Sequence, residues 1–230
     1  MAGCGRTIRA VIFDFDGLIL DTEVPAFRAW QEIYARHGVS LRLETWADFV
    51  GRAPETIDPY GELERALGRP IDRERLHAEE LASEAQRIEA ESVRPGVSTA
   101  IADARRLGLA LAIASSSSRD WVLGHLDRLG LGSSFNVVRC SDDVVRTKPE
   151  PDLYLAVLSA LGLSASEAIA LEDSPHGVAA AKRAGIYCVA VPNDLTRHLP
   201  LDGADRVVPS LAEVAVGELV SEAEGRAEGG

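Results

Sequence analysis

The stretch AVIFDFDG, residues 10–17, decides how the rest of the chain is read. Its apolar side chains run on until Asp14, and a second acid and a glycine follow at Asp16 and Gly17. A short apolar run that ends in turn-forming residues fits a strand buried on both faces, so Ala10–Phe15 is predicted to be a central parallel strand. Comparable runs at Leu109–Ala114, Asn136–Val138, Ala168–Leu171 and Ile186–Val191, with a weaker one at Arg206–Val208, are predicted to be its companions. Helical patterns lie between them. Val97–Leu107, Asp152–Leu161 and Pro175–Ala184 each stop at a glycine, where a helix C-terminus favours one. Strand alternating with helix predicts an α/β fold, a doubly wound and mostly parallel sheet of Rossmann-like type. Ligands of such sheets bind beyond the carboxyl ends of the strands, which is where Asp14 and Asp16 fall.

One stretch breaks the alternation. Val24, Phe27, Trp30 and Tyr34 recur at helical spacing before Gly38, and further helices are expected near Glu55–Leu67 and Asp72–Glu89, the last carrying Leu76, Leu81, Ala85 and Ile88. The expected division is therefore residues 1–22 as the first part of the core, 23–91 as a small α-helical cap, 92–220 as the rest of the core and 221–230 as a disordered tail. An insert directly after the acidic turn sits over the strand ends, where a lid belongs.

Composition narrows the functional classes. The hydrophobic fraction of 46% and charged fraction of 26% are ordinary for a soluble globular protein. There is no apolar run long enough to span a membrane and no signal-peptide pattern, and Cys4, Cys140 and Cys188 lack both metal spacing and an even count. A cytoplasmic protein with reduced thiols is expected. The net charge of −12 makes nucleic acid and anionic membrane poor partners, and it requires any phosphate site to be locally positive. Lys148 and Lys182 are the only lysines among 24 basic residues, so each stands out against arginine.

Four motifs carry chemistry. Asp14 and Asp16 form a carboxylate pair that a magnesium ion would relieve, and an aspartate can itself attack phosphorus. The plainer reading is a polar turn after a strand. Glu172 and Asp173 in LEDS again end a buried run; they suit a metal site facing the first pair, or simple capping of the helix that opens at Pro175. Ser115–Ser118 follow another strand, where hydroxyls and main-chain N–H groups make phosphate ligands or a helix cap. Lys148 is held in a turn by Pro149, as a point charge for an anion or as a solvated loop lysine.

Taken together, FDFDGLILDTE, the strand into the serine run, KPEPD and LEDSPHGVAAAKRAG resemble, in order and spacing, the haloacid dehalogenase-like hydrolase superfamily, and more closely its β-phosphoglucomutase-like phosphatase branch. The resemblance spans residues 8–22 and 93–210. It implies Asp14 as nucleophile and Asp16 as general acid/base, with Ser115, Ser116 and Lys148 binding the transferring phosphoryl group beside main-chain N–H groups near Phe15 and Asp16. It implies Mg²⁺ held by Asp14, the Asp16 carbonyl and Asp173, with Glu172 adjacent, and Arg52 of the cap reaching the substrate. The expected reaction is hydrolysis of a small phosphate ester, a sugar phosphate first, by a monomer.

Other readings stay open. A mutase of the β-phosphoglucomutase type carries a histidine where Ala26 stands, although Arg28 and Trp30 match, and an arginine near where this chain has Pro54. Dehalogenases lack the second aspartate, and Asp16, Glu172 and Asp173 argue against them. A binding protein for phosphorylated metabolites would have lost a catalytic position. Arg119 and His176 are read as surface residues, Trp30 as cap core, and Tyr60 as a side chain that could face substrate.

Overall fold

The computed structural model of the chain describes residues 7–43, 45–46 and 58–226. Six strands form one parallel sheet: β1 (Ala10–Phe13), β2 (Ala110–Ala114), β3 (Val137–Arg139), β4 (Ala168–Glu172), β5 (Tyr187–Ala190) and β6 (Arg206–Val207). Their order is β3-β2-β1-β4-β5-β6, so the chain winds outward in both directions from β1. β1 pairs with β2 and with β4, placing Phe13 opposite Ile113 and Leu171. One residue on, Asp14, Ala114 and Glu172 stand level at the carboxyl edge. That edge, between β1 and β4, is the switch point where open α/β sheets take ligands.

The core helices are α4 (Val97–Arg106), α5 (Arg119–Arg128), α6 (Asp152–Leu161), α7 (Pro175–Arg183) and α8 (Val216–Arg226). Alternate residues of β1 feed opposite faces: Val11 and Phe13 join one apolar cluster with α4, α5 and α8, while Ala10 and Ile12 join another with α6 and α7. Burial on both faces is why the strands read as unbroken apolar runs.

Between β1 and β2 stand α1 (Glu23–Arg36), α2 (Pro59–Leu67) and α3 (Arg73–Ala90), the helical cap. It has its own apolar centre, in which Phe27, Trp30, Ile33, Tyr34, Leu63 and Leu76 pack with Leu195 from the core. Trp30 is cap core, as its helical spacing indicates. In α3 the periodicity is less faithful: Leu81 is exposed while Glu80 is buried. The two connections to the core run side by side. Leu20 bridges Val93 in antiparallel fashion, and Arg94 N donates to the Ile19 carbonyl at 2.9 Å.

The expected tail is corrected over residues 221–226, and residues 227–230 lie outside the described residues. Residues 221–226 belong to α8, which buries Leu219 and Ala223. Arg206 pairs with Glu218 at 2.7 Å and with Glu222, and Ile8 N donates to Glu224 at 2.9 Å. The Glu- and Ala-rich composition concealed an amphipathic face. Among the described residues no helix is long and apolar enough to cross a membrane, and Cys140 and Cys188 are free and buried.

Candidate active site at the carboxyl edge of the sheet

Asp14 leaves the end of β1 with its main-chain N–H donating to Leu171 at 3.0 Å, which fixes it against β4. Lys148 Nζ stands 2.5 Å from Asp14 Oδ1 and 2.6 Å from Glu172 Oε1. All three side chains are buried. The Tyr154 hydroxyl, from α6, also donates to Glu172 Oε1, and the Lys148 ammonium lies 5.5 Å from the Tyr154 ring centroid. Asp173 completes the group: Asp14, Glu172 and Asp173 offer oxygen atoms within 4.8 Å of one another.

Three buried carboxylates cluster here, and two of them contact the same lysine. Burial first, then Glu172, pushes the Asp14 carboxyl up to about 7, with Lys148 pulling the other way. Burial and then Asp14 and Glu172 raise Asp173 well above the carboxylate range. Burial would lower the Lys148 ammonium, but Asp14 and Glu172 outweigh it and raise it. Like charges gathered out of water need a cation or protons. Glu172 Oε2 is buried without a hydrogen-bond partner, and the donor set is oxygen only, which suits a hard divalent ion such as magnesium. The residues present therefore fit a metal.

Two glycines make this packing possible. Gly17 has φ +77°, and a Cβ there would fall 2.1 Å from Asp173 Oδ2. At Gly177 a Cβ would fall 1.7 Å from Glu172 Oε2, so only glycine lets the first turn of α7 sit against that carboxylate. The capping reading of LEDS holds as well: Ser174 accepts from Gly177 N at 3.2 Å, and Pro175 opens the helix.

Asp16 faces the other way, toward β2. Its Oδ2 accepts from Ser117 Oγ at 2.6 Å and Ser115 Oγ at 3.3 Å, and its Oδ1 from Trp121 Nε1 at 2.9 Å. Ser115 is fully buried and Ser116 exposed. Ser118 caps α5 through Trp121 N at 3.4 Å. The structure thus brings Asp14, Asp16, Ser115, Lys148, Glu172 and Asp173 to one edge. Arg52 lies outside the described residues, as does Pro54. Arg119 is occupied elsewhere, pairing with Asp143 at 2.6 Å. Arg28 is exposed and donates to Gln31 at 2.7 Å, and Tyr60 packs on Trp30 with ring centroids 4.7 Å apart.

Sequence reasoning missed several residues that hold this site. Asn193 donates to Asp173 Oδ2 at 2.8 Å while its own Oδ1 accepts from Leu195 N and Thr196 N at 2.9 Å. Arg94 donates to the carbonyls of Gly17 and Pro192. Trp121 and Ser117 hold Asp16. The one available signal was position: Asn193 follows β5 at the same sheet edge.

A family profile described as "Haloacid dehalogenase-like hydrolase" matches residues 11–191. "Putative phosphatase YhcW" of Bacillus subtilis (strain 168) is 43% identical over 93% of this chain and 96% of its own length. "Phosphorylated carbohydrates phosphatase" of Thermotoga maritima is 32% identical over 78% of this chain and 82% of its own. Among solved structures, "putative beta-phosphoglucomutase from Thermotoga maritima" superposes with a TM-score of 0.74 at 29% identity, covering 94% of this chain and 99% of that one. With its motifs gathered at the switch point of a parallel sheet and relatives matched along nearly their whole length, the chain belongs to the haloacid dehalogenase-like hydrolases, in the β-phosphoglucomutase-like branch, and is a phosphatase of that family.

Proposed function

We propose that this phosphatase is a Mg²⁺-dependent phosphomonoester hydrolase whose phosphoryl group passes transiently through Asp14. The observation that carries the reading is the contact of the buried Lys148 ammonium with both Asp14 and Glu172. On a chain of net charge −12, this lysine together with a divalent ion on the neighbouring carboxylates would make the sheet edge locally positive where an anionic ester arrives.

Phosphoryl transfer needs in-line positioning and neutralisation of charge on the equatorial oxygens. The Asp14 carboxylate attacks phosphorus, the bond to the ester oxygen breaks, and Asp16 delivers a proton to the departing alcohol. Water then attacks the same phosphorus, Asp16 takes its proton, and the Asp14 carboxylate is released. Lys148 and the Ser115 hydroxyl hold phosphoryl oxygens, with the N–H groups near Phe15, Asp16 and Ser116 adding donors. Magnesium would be held by the carboxylates of Asp14 and Asp173 and the Asp16 carbonyl with Glu172 adjacent, and would supply further positive charge against the phosphoryl group. The cap keeps bulk water out while the acyl phosphate stands.

A phosphorylated carbohydrate is the substrate class favoured, because the Thermotoga relative is named for that activity. Ala26, half-buried on α1 beside the cap centre, stands where the mutase pattern carries histidine, which favours transfer to water over transfer to a sugar. Buried free Cys140 and Cys188 suit a reducing cytoplasm. A phosphate-release screen over sugar phosphates, other small phosphoesters and β-glucose 1-phosphate with its bisphosphate activator tests the reading. Release that needs Mg²⁺ and disappears in Asp14→Asn is the expected result; conversion to the 6-phosphate without release points to a mutase, and no turnover of any ester to a binding protein.

A further inference from the structure

Both oxygens of the Asp16 carboxylate are engaged, and one donor comes from outside the sequence motifs. Trp121, in the first turn of α5, gives its indole N–H to Asp16 Oδ1 at 2.9 Å, while Ser117 and Ser115 give hydroxyls to Oδ2. These donors follow β2, on the opposite side of β1 from β4, whose Glu172 contacts Lys148. The indole is more than filler. It is half-buried and borders a recess of about 220 Å³, yet its only polar group turns inward to the carboxylate.

The indole is also braced. His125, one turn further along α5, meets the Trp121 ring edge-on with centroids 4.4 Å apart and stacks on Phe15 at 6.5 Å. Arg128 donates to His125 Nδ1 at 3.2 Å and, from its other nitrogens, to the carbonyls of Ile88, Glu89 and Glu91 at 3.2, 3.1 and 2.9 Å. Those carbonyls lie at the end of α3 and the start of the return to the core. One face of α5 therefore joins the Asp16 carboxylate to the root of the cap.

The geometry points to Trp121 as a positioning residue for Asp16: its indole N–H fixes where the acid/base carboxylate stands, and the His125–Arg128 brace ties that position to the returning cap segment. This rests on the reading of Asp16 as acid/base.

Trp121→Phe keeps a ring against His125 and removes the donor. The comparison is kcat/KM for 4-nitrophenyl phosphate against glucose 6-phosphate, in Mg²⁺, which covers the steps up to release of the first alcohol. Nitrophenolate leaves with little help, whereas a sugar hydroxyl needs a proton in the transition state. Loss of one hydrogen bond to a charged group is expected to raise the aryl-to-sugar ratio about tenfold. Asp16→Asn sets the scale. If Asp16→Asn raises the ratio and Trp121→Phe leaves it within about twofold of wild type, or lowers both substrates alike, the role of Trp121 is overturned while the acid/base reading stands. If Asp16→Asn leaves the ratio unchanged, the acid/base reading fails and takes this inference with it. A readout independent of turnover uses the wild-type protein: the Trp121 indole ¹H–¹⁵N signal should exchange slowly in D₂O and shift in Asp16→Asn. Exchange as fast as that of a free indole contradicts the contact.

Discussion

Lys148 Nζ stands 2.5 Å from Asp14 Oδ1, although 134 residues separate the two in the chain. Each side chain is less than a tenth exposed. A buried ion pair is weak evidence for stability in itself, because desolvation offsets much of the attraction. Here the surroundings shift the balance further: Glu172 and Asp173 leave the group with more negative charge than one lysine answers. That excess is better understood as a requirement of the reaction than of the fold.

Removing the lysine should expose this imbalance. Lys148→Met is expected to lower kcat/KM by about a hundredfold or more, as loss of a charge aimed at the transferring group does. Without metal at pH 8 it should also cost about 3 kcal/mol in denaturant unfolding, since it strands buried carboxylates. Adding Asp14→Asn should recover part of that cost, a non-additivity that a double-mutant cycle reads directly.

The acids also predict a pH dependence. Asp14, Glu23 and Glu84 all have carboxyls raised to about 7, each chiefly by burial; Glu172 adds to the first, Asp16 to the second and a hydrogen bond with Glu80 to the third. A carboxyl whose folded pKa exceeds its unfolded value binds its proton more tightly in the folded state, so stability is fullest below about 4 and declines as pH climbs from about 4 to about 7. Calorimetry on metal-free protein should show this component as a fall in Tm from pH 5.5 to pH 8 that Mg²⁺ reverses and Asp14→Asn makes shallower. Equal slopes in wild type and variant would contradict it.

Gly17→Ala tests the closeness of the acidic turn to Asp173. The left-handed backbone costs about 1 kcal/mol for a residue with a Cβ, and the added methyl must displace the Asp173 carboxylate. Expected are a modest loss of Tm and a large rise in the Mg²⁺ concentration needed for half-maximal activity. A drop in Tm alone, with metal dependence unchanged, would mean that Asp173 does not serve the metal.

Asn193→Ala removes the donor that orients Asp173 without touching a proposed metal ligand. Loss of such a partner typically weakens metal binding about 10- to 100-fold, and Mg²⁺ titration of activity should show it. Part of the effect will be structural, because Asn193 also closes the turn to Thr196; Asn193→Asp, which keeps the acceptor for that turn, separates the two.

Much of this was legible in the sequence because the site is built at strand ends. Where a buried strand stops, apolar residues give way abruptly to polar ones, and FDFDG, the serine run and LEDS each mark such a change. The parallel sheet then converts three separate positions into one edge. Lys148 was legible for a different reason, as a rare lysine in an arginine-rich chain. What could not be read acts through contacts that no local pattern encodes. Trp121 looks like an ordinary amphipathic helix residue until its N–H is seen on Asp16, and Arg94 like a linker arginine until it bridges Gly17 and Pro192. The last turns of α8 were lost to composition: the glutamates that suggest a solvated tail are held, Glu222 by Arg206 and Glu224 by the Ile8 N–H.

The central claim is that Asp14 carries the phosphoryl group, and chemical trapping reaches it most directly. Protein turning over its best substrate in Mg²⁺, quenched and reduced with borohydride, should yield homoserine at position 14 on peptide mapping, in an amount that depends on substrate and metal. If turnover is brisk and residue 14 is recovered only as aspartate while another side chain is recovered phosphorylated or reduced, Asp14 is not the phosphoryl carrier.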